Sequence, residues 1–152
     1  MSKSPILQPL FDFKHSLPVQ LRFNDVDIFG HVNNSVYLQF LDLGKLRYFD
    51  AVLGTDFSKS GLGIVVANIN CDFFAPTFMN EELVVDTQCE HIGQKSMKLL
   101  QRIVAPANGS IKCVAHTIMV GFDLKTMTSA AIPDDVRKKF EAYEGHNLIS
   151  EV

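Results

Sequence analysis

The sequence predicts an α+β fold in which one antiparallel sheet packs against a single long helix. The periodicity of the apolar residues gives one strand, a long helix, four strands and a short helix, in that order. A parallel doubly wound sheet would need repeated alternation of strands and helices, which this order lacks. The Asn108-Gly109 step between two alternating segments indicates an antiparallel hairpin. A five-stranded antiparallel sheet with the helix on one face therefore fits the pattern best.

The first two elements are a strand and the long helix. After an irregular arm over residues 1–17, the segment VQLRFND (19–25) alternates apolar and polar side chains, which is typical of a half-buried strand. From about Asn33 to Gly54 the apolar residues recur every three or four positions, which predicts a helix of about five turns. Gly44 inside this helix costs about 1 kcal/mol relative to alanine. We expect this glycine to let the helix backbone approach the sheet closely.

The remaining strands are predicted over residues 63–74, 82–92, 96–105 and 110–123. Strict alternation in the first of them gives an apolar face with Val65, Ala67, Ile69, Cys71 and Phe73. The opposite face carries Val66, Asn68, Asn70 and Asp72. A short terminal helix is predicted to begin at Pro133. Because such a sheet leaves polar faces and open edges, we expect an oligomer that covers them.

Composition narrows the class of protein. A chain of 152 residues that is 47% hydrophobic and 20% charged is expected to form one globular domain over residues 1–152. Its formal net charge is −3 and its basic residues are spread thinly, so nucleic-acid binding is not expected. No apolar run is long enough for a signal peptide or a membrane span. The three cysteines form no C-x-x-C pair, which favours buried thiols in a reducing, cytoplasmic location.

Polar functional groups are concentrated in one short segment, RFNDVDIFGHVNN (22–34), between the first strand and the helix. A calcium loop that starts at its first aspartate fails at the fifth and twelfth positions, Phe29 and Val36. A zinc site at Asp27 and His31 would need further ligands at a recognisable spacing, which the sequence does not offer. The chain also has neither a G-x-S-x-G nucleophile elbow nor a glycine-rich phosphate loop. No metal and no cofactor are therefore predicted.

Two interpretations of this segment stay open from the residues alone. Its aspartates and asparagines could serve only as turn formers and helix caps. One cap suffices for one helix, however, whereas this segment offers five polar candidates. Gly30 also lets the backbone come close to a ligand directly before the unpaired N–H groups of the helix start. A carboxylate beside a helix start suits chemistry on a carbonyl group, because the N–H groups polarise the oxygen while the acid acts as base or nucleophile.

The segment RFNDVDIFGHVNNSVYLQFLD (22–42) resembles the signature of the hotdog-fold acyl-CoA thioesterases of the 4-hydroxybenzoyl-CoA thioesterase group, D-x-D-x-x-G-H-x-N-N-x-x-Y followed by a helix. Later segments that are also similar to this family are FFAPTFMNEELVV, HIGQKSMKLLQRIV, VGFDLKT and IPDDVRKKF. The resemblance covers nearly the whole chain. It implies a hotdog fold, in which the antiparallel sheet curves around the long helix, and a homodimer or homotetramer with active sites between protomers.

By this resemblance the catalytic carboxylate is Asp27, the second aspartate of D-x-D, acting as general base or nucleophile. The backbone N–H of Asn34, in the first helical turn, is where the family polarises the thioester carbonyl. His31 matches a histidine found in part of the family and in the related plant acyl-carrier-protein thioesterases. Those plant enzymes carry an asparagine where this chain has Phe29. His31 is therefore expected to orient groups or hold water rather than to act as the base.

The resemblance also implies a set of substrate contacts. The residues expected to bind substrate are Gly30, Asn33, Tyr37, Asn68, Asn70, Lys95, Ser96 and Lys98. The last three follow the turn at Gly93, where the family places contacts to the phosphates of CoA; a solvated hairpin turn is the alternative. The two strand asparagines are expected to line the site of the partner protomer. For Asn33, capping the helix is the favoured role and a hydrogen bond to Asp27 is the alternative.

The predicted function is hydrolysis of an acyl-CoA to a free acid and CoA, with CoA as part of the substrate rather than a cofactor. The alternative is a non-catalytic domain that binds acyl-CoA or acyl carrier protein. Hydration of an enoyl thioester is disfavoured, because the histidine-proline-glycine pattern of the dehydratases is absent. The acyl group is left open, because four phenylalanines are candidates for the pocket as well as for the core: Phe29, Phe40, Phe73 and Phe74.

Overall fold

The structure is an antiparallel sheet packed against one long helix, as the sequence predicts. The computed structural model describes residues 9, 11–55, 57 and 60–148. In chain order its elements are β1 (His15–Val19), a 3-10 turn (Phe23–Asp25), α1 (Asn34–Leu53), β2 (Leu62–Phe73), β3 (Leu83–Ile92), β4 (Ser96–Ala105), β5 (Ser110–Asp123), β6 (Thr128–Ser129) and α2 (Asp134–Glu144). The strands pair in the order β1-β3-β4-β5-β2, and the two-residue β6, which the sequence did not predict, pairs with β5.

The β4–β5 hairpin is the part of the sheet whose prediction agrees best with the structure. Both strands have the predicted bounds. At the turn, Gly109 has a φ of +72° and donates its N–H to the Ala105 carbonyl at 2.9 Å. The Asn108 side chain accepts the Ser110 N–H at 2.9 Å. Glycine supplies the positive φ and asparagine supplies the local hydrogen bond that such a turn requires.

The first strand was predicted at the wrong place. It spans His15–Val19, where it pairs with β3, instead of residues 19–25. The apolar alternation continues after pairing ends because Leu21 still packs on the core beside Val19. The chain then turns, and Phe23 is 83% exposed. The predicted irregular arm therefore includes the start of β1, and its residues 1–8 and 10 lie outside the described part of the chain.

Helix α1 lies against β1, β3 and β4, and Gly44 faces Val85 of β3. A Cβ atom at this position would lie 2.6 Å from Val85 Cγ1, well inside van der Waals contact. The predicted close packing at Gly44 is therefore confirmed. Leu41 and Tyr48, on the same helix face, are fully buried. Burial of this face against the sheet supplies most of the stability of α1, since helices in proteins depend mainly on tertiary packing.

Strand β2 forms one edge of the sheet and contains a bulge. Its register with β5 shifts between Val66 and Asn68, so one residue of β2 has no partner. A bulge reverses the alternation of side chains. Val66 consequently shares the helix-facing side with Phe73, and Val65 shares the outer side with Asn68, which is the opposite of the prediction for the two valines. The prediction for the residues after the bulge is correct.

The last helix in the described part of the chain is α2. This helix begins at Asp134, one residue later than predicted, because Pro133 is extended, with φ −61° and ψ 151°. Gly145 closes it in the left-handed region and donates its N–H to the Glu141 carbonyl at 2.8 Å. Neither helix in the described residues is long and apolar enough to cross a membrane.

Candidate active site

The two aspartates of the motif have different environments. Asp25 is 1% exposed, and its Oδ2 accepts the Arg22 backbone N–H at 2.8 Å. Its Oδ1 pairs with the Arg22 guanidinium at 3.1 Å, and its carbonyl accepts the Asn33 N–H at 2.8 Å. All of these bonds fix the chain where it leaves the sheet and turns toward α1. Asp25 therefore has a structural role as a turn former.

Asp27 is exposed, and backbone donors hold its carboxylate. Its Oδ1 accepts the Phe29 N–H at 2.9 Å and the His31 N–H at 3.2 Å. The backbone of the loop closes around it, because the Asp27 N–H reaches the His31 carbonyl at 2.8 Å and Gly30 donates to the Asp27 carbonyl at 3.0 Å. Gly30 has a φ of +77°, a conformation that favours glycine. Both bonds to the side chain use Oδ1, so among the described residues Oδ2 has no donor.

The start of α1 leaves backbone donors available. Asn33 occupies the N-cap position, but its side chain makes no capping hydrogen bond, so the favoured role predicted for it is not observed. Its carbonyl accepts the Val36 N–H at 2.9 Å. Within the described part of the chain, the N–H of Asn34 has no acceptor. Free N–H groups at a helix start carry a partial positive charge and attract anionic oxygen.

Asp27 and the helix start share one open pocket of about 350 Å³. Its lining residues are Asp27, His31, Val32, Asn34, Tyr37, Phe73, Phe74, Ala75 and Pro76. The wall is both polar and apolar: its polar groups lie at the loop and the helix start, and its apolar side chains lie at the end of β2 and in the connection that follows. A larger cleft of about 650 Å³ beside β1 has no helix start in its wall. The smaller pocket is therefore the one whose chemistry matches the motif.

Tyr37 forms part of the pocket wall, but its hydroxyl is already used. The side chain is 3% exposed, and its hydroxyl donates to Thr77 Oγ1 at 2.8 Å. Burial raises the pKa of Tyr37 above its ordinary value. Its ring lies 5.5 Å from that of Phe73, centroid to centroid. Tyr37 can therefore contact a ligand through its ring, while its hydroxyl holds Thr77.

His31 is half-buried and is held by the connection between β2 and β3 (residues 74–82). Its backbone forms an isolated antiparallel bridge with Phe78. Its ring lies edge-on to the Phe78 ring, with 5.1 Å between the centroids. The imidazole thus lies beside Asp27 in the pocket wall without a bond to the Asp27 carboxylate in the described structure. No group of three or more histidine, cysteine, aspartate or glutamate residues in the described chain could hold a metal.

The structure does not bring the predicted strand asparagines to this pocket. Asn68 lies opposite Ile118 and Asn70 opposite His116, and both asparagines are exposed. Side chains alternate along a strand, so these two point away from the side that carries Phe73 and the helix. Their role in substrate binding stays a prediction that concerns another protomer.

The turn predicted to bind phosphate lies at the opposite end of the sheet. On β5, Cys113 pairs with Phe73 of the pocket, and Val120 pairs with Ser96 of the turn. Cys113 and Val120 are seven residues apart, so at about 3.4 Å per residue the pocket and the turn are about 24 Å apart along the strand. Lys95 and Ser96 are exposed there, and Lys98 follows on β4. One protomer therefore does not join these residues to Asp27 in a single pocket.

Thr77, beside the pocket, is a residue that sequence reasoning missed. It is fully buried, accepts the Tyr37 hydroxyl at Oγ1, and accepts the Val32 N–H at its carbonyl at 2.9 Å. It lies 45 residues after Val32 in the chain, so no local pattern could indicate the contact. The only signal was its position in the proline-bearing connection after β2, next to Pro76.

Comparison with known proteins gives a consistent result. Residues 21–140 match the family model described as Thioesterase-like superfamily. The chain is 28% identical over 127 residues to the long-chain acyl-CoA thioesterase FadM of Escherichia coli, over 81% of this chain and 94% of that protein. It is 23% identical over 134 residues to the acyl-CoA thioesterase YbgC of Haemophilus influenzae, over 86% and 97%. A thioesterase of Thermus thermophilus, solved with coenzyme A and Zn, superposes with a TM-score of 0.78 at 28% identity, over 90% of this chain and 98% of that chain.

Proposed function

Because this chain belongs to the thioesterase-like superfamily, we propose that it hydrolyses acyl-CoA thioesters to a free acid and CoA. The observation that carries the proposal is the exposed Asp27 carboxylate, held by two backbone N–H groups beside the uncapped start of α1. The names of FadM and YbgC, both acyl-CoA thioesterases, support the substrate class. The coenzyme A bound to the Thermus thermophilus thioesterase supports it as well.

The helix start stabilises the charge that develops on the substrate. Attack on the thioester carbon moves an electron pair onto the carbonyl oxygen. The free N–H of Asn34 donates to this oxygen, and the positive end of the α1 dipole adds to the stabilisation. A donor of this kind is already in position before the reaction, so it costs no reorganisation in the transition state.

Asp27 supplies the second half of the chemistry. As a general base it takes a proton from water, the water oxygen bonds to the carbonyl carbon, and the C–S bond breaks when the tetrahedral intermediate collapses. The departing CoA sulfur then takes up the proton that Asp27 holds. As a nucleophile, an Asp27 carboxylate oxygen bonds to the carbonyl carbon, the C–S bond breaks, and the CoA thiolate leaves and takes a proton from solvent. Water then hydrolyses the resulting anhydride, which releases the free acid and regenerates the Asp27 carboxylate. The bonds from Phe29 and His31 to Oδ1 orient the carboxylate for either route.

A homo-oligomer, dimer or tetramer, is part of the proposal. Lys95 and Ser96 lie about 24 Å from the pocket along the sheet of one protomer, so a partner protomer would supply the phosphate contacts to this site. Strand β2 has a free edge, and apolar side chains on it are exposed, including Val66 at 46% and Phe73 at 46%. Exposed apolar groups on an unpaired edge favour association. The three free cysteines support a reducing, cytoplasmic location.

Release of free thiol from a panel of acyl-CoAs, with chain length and aromaticity varied, tests this proposal. Asp27→Asn is expected to lower kcat/KM by about 10²–10⁴-fold, because the amide is neither base nor nucleophile. Asp50→Asn, a change of a half-buried acid in the last turn of α1, is the matched control and should keep full activity.

Two outcomes would contradict the proposal. Full activity of Asp27→Asn would exclude the assigned chemistry at this carboxylate. Tight binding of every acyl-CoA by the wild-type protein without any thiol release would instead indicate a non-catalytic binding domain.

A further inference from the structure

Lys112 on β5 is a charged side chain in a buried position. It is 4% exposed, and its ammonium donates to Glu81 Oε1 at 2.8 Å and to the Pro76 carbonyl at 3.0 Å. A buried ammonium is costly unless it is paired and hydrogen-bonded. Both acceptors belong to the connection between β2 and β3 (residues 74–82). The charge on Lys112 therefore specifies where this connection must lie on the sheet.

Glu81 links the Lys112 ammonium to the backbone of the connection. Its Oε2 accepts the Phe78 N–H at 2.8 Å, and its own N–H donates to the Phe78 carbonyl at 3.1 Å. Burial acts to raise the pKa of Glu81, but the Lys112 ammonium and the Phe78 N–H outweigh it and hold that pKa below its ordinary value. At the other end, the Phe74 N–H donates to the Lys112 carbonyl at 2.8 Å. Lys112 thus anchors both ends of the connection.

The connection in turn holds the motif. Thr77 accepts the Val32 N–H at its carbonyl and the Tyr37 hydroxyl at Oγ1, at 2.9 and 2.8 Å. Phe78 forms a backbone bridge and an edge-on ring contact with His31. Val32 is the residue between His31 and the N-cap of α1, so these contacts fix the Asp27 loop and the helix start relative to each other.

We propose that Lys112 and Glu81 form a positioning pair for the active site, and that they align the start of α1 with Asp27 through Thr77 and Phe78. Neither residue of the pair lines the Asp27 pocket, so neither contacts the reacting atoms. The pair's part in catalysis rests on the proposed thioesterase function. Its structural part, the fixing of the motif by the connection, does not.

The kinetic test compares Lys112→Met with Arg102→Met. Arg102 is the control, because it forms an ion pair of the same length, 2.8 Å, with the buried Asp86 on the neighbouring strand, and within the described part of the chain it makes no hydrogen bond or ion pair to the motif. At a temperature where both variants are folded, Lys112→Met is expected to lower kcat at least about tenfold while KM changes less than about threefold. Arg102→Met is expected to keep its kcat. Equal losses of kcat in the two variants would overturn the proposal.

Substitutions at Thr77 and at Glu81 distinguish an effect on the positioning of the motif from an effect on folding. Thr77→Val removes the acceptor of the Tyr37 hydroxyl, whereas Thr77→Ser keeps it. The serine variant is expected to recover most of the kcat that the valine variant loses. If Lys112→Met does not fold, Glu81→Gln, which keeps the shape and removes the charge, takes its place. Loss of kcat in Thr77→Ser equal to that in Thr77→Val would count against the proposal.

Hydrogen exchange gives a readout that does not depend on catalysis. The amide of Val32 is protected by the Thr77 carbonyl, so peptides covering residues 31–36 should exchange faster in Lys112→Met and unchanged in Arg102→Met. Unchanged exchange in Lys112→Met would overturn the positioning pair. Absence of thiol release from the wild-type protein would refute the proposed function instead, and the exchange result would still decide the inference.

Discussion

The starts of the two helices differ in what surrounds their free N–H groups. Helix α1 begins after Asn33 without a side-chain cap, and its first turn contains no acidic residue. Helix α2 also lacks a side-chain cap, but its first turn carries Asp134 and Asp135. Acids in a first turn stabilise a helix by about 0.3–1 kcal/mol each. The start of α2 therefore has a composition that favours stability, and the start of α1 does not.

The difference fits the proposal that the start of α1 binds the substrate. The start of α1 opens into the pocket that contains Asp27, whereas α2 packs its apolar face into the core. An acid or a cap at the start of α1 would occupy the N–H groups that the substrate oxygen is proposed to use. Helix α1 compensates through its buried face, in which Leu41 and Tyr48 are fully buried. In this proposal, stability and function belong to different parts of the same helix.

Within this comparison, the largest expected effect comes from removing one N–H at each helix start. Asn34 and Asp134 both occupy the first helical position, where proline is tolerated because its fixed φ suits the helix. Asn34→Pro removes the proposed donor to the substrate oxygen, so kcat should fall by about 10²–10³-fold with little change in the unfolding temperature. Asp134→Pro should leave kcat unchanged. Steady-state kinetics and thermal unfolding of the two variants measure both quantities.

A second substitution separates the backbone from the side chain. Asn34→Ala keeps the N–H and removes the amide, so its loss of kcat should be much smaller than that of Asn34→Pro. Equal losses in the two variants would show that the Asn34 side chain, rather than the backbone, acts at the site. The comparison of the two helix starts would then lose its functional meaning.

Local patterns predicted most of the fold, and they failed where pairing or register decides. The alternation from Val19 onward continues past the end of β1, because Leu21 contacts the core without a strand partner. Strict alternation also assigned Val65 and Val66 to the wrong faces, because periodicity does not reveal a bulge. Gly44 was predictable, since a glycine inside a strongly apolar helix lowers its stability unless close packing offsets the cost.

At the site, the sequence predicted the residues that are contiguous in the motif and missed the ones that hold them. Asp27 and Asn34 lie in one segment, so their proximity follows from the chain. Thr77 and Lys112 reach the motif only through the folded connection between β2 and β3. Asn68 lies on the other side of the sheet from the pocket because of its register with Ile118. These contacts join residues that are far apart in the chain, so local sequence patterns do not predict them.

A contact between the C-terminal end of α2 and the buried face of α1 gives a further prediction, with a smaller expected effect on stability. Glu144, the last residue of α2, is fully buried, and its Oε1 accepts the Tyr48 hydroxyl of α1 at 3.0 Å. Burial raises the pKa of Glu144 above its ordinary value. A raised folded-state pKa gives stabilisation that is fully present below the unfolded pKa, about 4.3, and is lost as the pH rises through the folded value. The free energy of unfolding should therefore decrease as Glu144 ionises, because the buried carboxylate loses its hydration.

Glu144→Gln tests this dependence, because glutamine keeps the acceptor for Tyr48 and does not ionise. Relative to the wild type, the free energy of unfolding of the variant should increase as the pH rises above about 4.3, by about 1.4 kcal/mol for each unit of pKa shift. Denaturant unfolding at several pH values measures it. Glu141→Gln, on the same helix and less buried, is the control for loss of a negative charge. A difference that does not vary with pH would show that Glu144 ionises normally.

The smallest expected effect comes from exchanging the charge patterns of the two helix starts. Ser35→Asp places an acid in the first turn of α1, which should raise the free energy of unfolding by about 0.3–1 kcal/mol. The same charge opposes the developing charge on the substrate oxygen, so kcat should fall by up to about fivefold. Asp135→Ser on α2 should lower stability by a similar amount without changing kcat. Both stability changes should shrink as the salt concentration rises, because exposed charges are screened. Stability and activity then move in opposite directions at α1 and independently at α2, whereas an unchanged kcat in Ser35→Asp would mean that the dipole of α1 does not act on the substrate.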